Sequence, residues 1–121
     1  MTGVKSPRFS FVVLALMLSL SGFLSGCNRE PENLARATGL HPQGRQVFER
    51  NNCIRCHNSG EGGFGKRMIG NLKLRDLAFI RNRVINGKSV GAAQMPPYPN
   101  LNKKDLEEVS KFVRALAGWE E

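Results

Sequence analysis

Cys53, Cys56 and His57 fall within five consecutive residues, Cys-Ile-Arg-Cys-His. Two thiols and an imidazole this close can form a redox disulfide, contribute to a zinc site, or hold a haem through its edge and its iron. Zinc needs four ligands, normally as two spaced pairs. Beyond this cluster the chain offers only His41 and carboxylates. A thioredoxin-like dithiol belongs after a strand in a βαβ setting; here a helical pattern precedes the cysteines and glycines follow them.

The third chemistry fits the spacing. Cys-x-x-Cys-His is the attachment signature for c-type haem. Cysteines three apart on a helical turn face the same way and can bond both vinyl carbons at one ring edge, while the next residue projects its imidazole toward the iron. Haem is therefore the favoured ligand, with Cys53 and Cys56 as thioether donors and His57 as the proximal ligand. Structural zinc and a free dithiol are the alternatives.

The surrounding elements read as helices broken by glycine and proline. Pro42 suits a first helical turn, and Val47 and Phe48 lie on one apolar side, which predicts a helix over 42–52 running into the cysteine motif. Residues 58–71 carry five glycines among NSGEGGFGKRMIGN and read as a loop. Leu74, Leu77, Ile80, Val84 and Ile85 follow helical spacing, giving a second helix over 73–86. Residues 87–101 contain three prolines near their end and read as a second loop without strand. Asn102 is a candidate N-cap, and Leu106, Val109, Phe112, Val113 and Leu116 trace one stripe of a third helix ending before Gly118. No stretch shows sustained two-residue alternation, so the fold class is all-α.

Three short helices make a small core, and long structureless loops in so small a domain are expected to grip something. One haem wrapped by the loops answers both points.

The chain is 121 residues long, room for one domain. Lys5 and Arg8 precede an apolar run from Phe11 to about Leu24, shorter than the ~20 residues a membrane-spanning helix needs. This is the pattern of an export signal over 1–26. Leu24-Ser25-Gly26-Cys27 resembles the lipobox of bacterial lipoproteins, which implies cleavage before Cys27 and acylation of its sulfur. Three cysteines is an odd count; with Cys27 assigned to lipid, Cys53 and Cys56 remain as a pair. Residues 27–40 are polar and read as a flexible tether, with a nascent helical turn as an option at Leu34-Ala35-Arg36-Ala37, and the folded domain is expected over 41–121.

Residues 41–118 resemble the class I c-type cytochromes, small monohaem electron carriers. The resemblance rests on Gly44 and Phe48 in a Gly-x-x-x-aromatic pattern, on Cys53-x-x-Cys56-His57, and on Phe112 in the last helix. It implies a cytochrome c-like fold in which Gly44 lets the first and last helices approach closely. It also implies a sixth iron ligand in the loop before the last helix, where Gln94-Met95-Pro96-Pro97 stands, so Met95 and His57 are the expected axial pair. Met68 follows His57 too closely to reach the opposite haem face and is assigned to packing. His41, beside a helix start, is expected to be exposed. Many relatives carry a proline whose carbonyl orients the proximal histidine; here the loop reads Lys66-Arg67-Met68 instead, and the orienting group is left open.

A filled pair of axial positions implies an electron carrier rather than an enzyme. The rival readings are a peroxidase-like or gas-sensing protein with an open distal site, and a zinc-binding lipoprotein. The formal charge of +8 falls to +6 when Lys5 and Arg8 leave with the signal. That charge suits redox partners with acidic docking faces or anionic lipid beside the anchor; export makes nucleic acid an unsuitable partner. The expectation is a monomer, held by Cys27 on the periplasmic side of a bacterial membrane and passing electrons between components of a redox chain.

Overall fold

The structure, a computed structural model, describes residues 29–90 and 93–120. The export signal and Cys27 lie outside the described residues. Those that are described form an all-α body with one small two-stranded ribbon.

Helix α1 (Glu32–Leu40) occupies most of the segment expected to be tether. Its two buried side chains, Leu34 and Ala37, are three residues apart and face the core. Such a short stripe inside a polar sequence gives little periodic signal; tertiary contacts supply the stability that propensity does not. Asn33 donates to the Ser59 carbonyl, Arg36 pairs with Glu120 at 2.7 Å, and Arg45 bridges Glu30 at 2.7 Å and the Thr38 hydroxyl at 2.9 Å.

Helix α2 (Pro42–Arg50) begins with proline in its first turn and buries Gly44, Val47 and Phe48. It ends two residues earlier than expected. Asn52 takes a left-handed conformation, φ 58°, which asparagine tolerates better than most residues. The chain restarts as a separate short helix α3 (Cys53–His57).

After the glycine-rich loop, a 3₁₀ turn (Leu72–Arg75) precedes helix α4 (Leu77–Asn86). The expected single helix over 73–86 is divided at Asp76, whose carboxylate caps α4 by accepting from the Ala78 N–H at 2.8 Å.

The second expected loop contains strands β1 (Lys88–Val90) and β2 (Ala93–Met95), antiparallel with Lys88 opposite Met95. Three-residue strands are too short to produce a readable alternation. Gly87, at φ 65°, starts the reversal, and Pro96 ends the pairing because it has no N–H to donate.

Helix α5 (Lys103–Leu116) matches its expected place, with the Asn102 side chain accepting from the Asp105 N–H at 2.8 Å. Val109, Phe112, Val113 and Leu116 are buried, while Leu106 is only partly so. Helices α1, α2 and α4 all pack on α5. At the α2/α5 contact the Phe48 and Phe112 rings are tilted, with centroids 5.3 Å apart. Gly44 sits in the same contact, as the Gly-x-x-x-aromatic pattern implied.

Candidate functional site

Helix α3 carries three of the four residues expected to do chemistry. Cys53 and Cys56 are free thiols, both half-buried and three residues apart on one turn. Burial, more than the neighbouring Cys56, pushes the Cys53 thiol up to about 11, so it is a neutral thiol at ordinary pH.

His57 is fixed from behind. Its Nδ1 lies 3.3 Å from the Lys66 carbonyl oxygen. A carbonyl can only accept, so the proton sits on Nδ1 and the Nε2 lone pair is left for a metal. Burial lowers the pKa of the ring, only partly opposed by the Lys66 contact, and so favours the neutral imidazole. The Lys66 carbonyl is thus the loop group in contact with the ring, in a loop that has no proline.

The glycine loop is shaped around that ring. The Gly65 N–H donates to the Cys56 carbonyl at 2.8 Å. A Cβ on Gly65 would stand 2.6 Å from both Cε1 and Nδ1 of His57, closer than nonbonded carbon tolerates, so only glycine lets the backbone lie against the imidazole.

Met95, half-buried at the end of β2, comes from the other side of the sequence. Its segment is carried to the cysteine helix by Tyr98, whose hydroxyl donates to the Asn51 carbonyl at 3.1 Å. Burial raises the Tyr98 pKa, and Cys53 and Cys56 add to the effect. Asn51 and the chain from Pro97 to Leu101 line a cavity of about 270 Å³.

Met68 is elsewhere, 8% exposed within the core cluster, in agreement with its assignment to packing. His41 is half-buried at the α1/α2 junction, not exposed as expected, and its backbone N–H closes α1 on the Ala37 carbonyl at 2.9 Å. Sequence reading missed Tyr98, Gly65 and the Lys66 carbonyl. A hint existed for the first: it is the chain's single tyrosine, lying among three prolines directly after Met95.

The donor set fits a haem c. Two thiols on one helical turn, an imidazole engaged at Nδ1, and a thioether on the segment that Tyr98 ties to Asn51 match the groups such a cofactor takes. Among the described residues no group of three or more His, Cys, Asp and Glu side chains is placed to hold a metal ion, as the zinc alternative would require.

Fold and donors together define a c-type cytochrome domain. Residues 39–113 match the family described as cytochrome c oxidase, cbb3-type, subunit III, and the chain belongs to that family. Membership implies haem c as the group that the donor set would take. The cytochrome c oxidase subunit 2 of Alkalihalophilus pseudofirmus is 36% identical over 92 residues, a match covering 64% of this chain and 26% of that protein. The chain thus spans about a quarter of that relative's length. No solved structure matches the chain. None of the described helices is long and apolar enough to cross a membrane.

Proposed function

We propose that this chain is a membrane-anchored monohaem cytochrome c that passes single electrons between respiratory redox partners. Cys53 and Cys56 form the thioether bonds, His57 and Met95 are the axial ligands, and Cys27 carries the lipid on the periplasmic side. The bound haem supplies a one-electron couple at its iron.

The observation that carries this reading is the contact between His57 Nδ1 and the Lys66 carbonyl. A half-buried imidazole whose tautomer is fixed by a backbone acceptor, seated on a glycine that admits no side chain, is held as a metal ligand is held. The Tyr98–Asn51 hydrogen bond, which ties the Met95 segment to the start of the cysteine helix, favours a carrier over a site open to substrate. Arg55, Lys66 and Arg67 are exposed around the motif, with Glu61 as the carboxylate in that stretch of chain. This positive rim favours partners with acidic faces and predicts turnover that falls as salt rises. The name of the relative, an oxidase subunit, favours a terminal oxidase chain as the setting.

The test is a visible spectrum of the wild type and Met95→Ala in both redox states, taken before and after denaturation. Pigment that stays with the denatured chain supports thioether attachment. A changed iron environment in Met95→Ala supports thioether ligation. Carbon monoxide binding to the native reduced wild type would instead favour the open-site reading, that of a peroxidase-like or gas-sensing protein.

A further inference from the structure

We infer that Tyr98 is a positioning residue: its hydroxyl latches the Met95 segment onto the cysteine side of the domain and so holds the sixth ligand in place. The inference rests on the reading of Met95 as that ligand.

Most of what holds this segment lies on the α4 side. Met95 pairs with Lys88 in the ribbon. The Met95 carbonyl and the Pro96-Pro97 backbone press on Gly87, which is buried and has no room for a Cβ. The Tyr98 N–H donates to the Val84 carbonyl at 3.0 Å. These contacts fix the segment to α4, whereas Cys53 and His57 follow α2.

The tie that crosses is the Tyr98 hydroxyl, donating to the Asn51 carbonyl at 3.1 Å. Its acceptor is well chosen. Asn51 is held by its own side chain, which donates to the Val47 carbonyl at 2.8 Å, and it sits directly before the left-handed Asn52 that launches α3. The latch therefore joins the two halves of the site at the residue that sets the direction of the cysteine helix. A neutral thioether is a weak donor to iron, so the population of the open form depends on how well the protein positions it. Deleting one hydrogen bond should raise that population about three- to tenfold.

The experiment compares wild type, Tyr98→Phe, Met95→Ala and Val109→Ala, all as purified haem-loaded protein. It reads the rate at which added imidazole replaces the sixth ligand of ferric iron, the thioether-to-iron absorption band, and the reduction potential. Tyr98→Phe keeps the ring and loses only the hydroxyl. It should retain the band, exchange about three- to tenfold faster and shift the potential downward. Val109→Ala truncates the core away from the latch, and should exchange at the wild-type rate despite its lower stability. Exchange in Tyr98→Phe within twofold of wild type, or equal acceleration in Val109→Ala, overturns the latch while leaving the ligand assignment standing. An unchanged band in Met95→Ala overturns the ligand assignment, and the latch with it.

Discussion

Gly44 of α2 lies so close to Phe112 of α5 that a Cβ on the glycine would stand 2.5 Å from the phenylalanine Cβ and would collide with the Glu108 carbonyl as well. The two backbones meet at this point, and the cysteine helix depends on that contact, because α2 leads into it through the turn at Asn51 and Asn52. Gly44→Ala should cost about 3 kcal/mol or more, read from the denaturant midpoint, since neither a carbonyl nor a Cβ can move aside. Gly39, with nothing within 4 Å of its Cβ position, is the matched control. Its alanine variant should gain about 0.5–1 kcal/mol through helix propensity. Equal effects at the two positions would refute the close crossing.

At Gly65 the consequence is chemical rather than global. Alanine there must push the His57 ring off its Lys66 acceptor. Gly65→Ala should keep its helix content by circular dichroism and yet mature with an altered or heterogeneous iron environment. A spectrum identical to wild type would show that the ring does not depend on this seat.

Much of this arrangement is legible in the residues. The α5 stripe, the Asn102 cap and the Cys-x-x-Cys-His spacing each carry a local signal strong enough to read. What is lost is whatever depends on partners far away in sequence. Helix α1 is legible only as a nascent turn at Leu34–Ala37, because two apolar residues say little until α5 is there to receive them. Asp76 and Asn52 interrupt helices by single caps or turns that periodicity averages over. The Lys66 carbonyl is hidden for a different reason, since a backbone acceptor has no residue type, and only the loop path from Gly60 and Gly62, both at positive φ, brings it to the imidazole.

The helical state of residues 32–40 gives a direct check. Leu34 is 6% exposed, so Leu34→Ala should destabilise the domain by about 2–4 kcal/mol in chemical unfolding. A true tether would register no change.

The two methionines of the domain should separate by the property each one moves. Met68→Ala should lower stability by about 2–4 kcal/mol, because it empties a place in the core, and should leave the visible spectrum as it was. A spectral change in that variant would move the sixth ligand from Met95 to Met68.

The docking of α1 has a mechanical outcome for an acylated Cys27. The ion pair from Glu30 to Arg45 fastens the chain to the body, three residues beyond the cysteine, and three extended residues reach only about 10 Å. A lipid there would work as a short leash, keeping the domain flush with the bilayer surface. Its electrons would then travel by sideways diffusion in the plane of the membrane, with no arm to swing them outward.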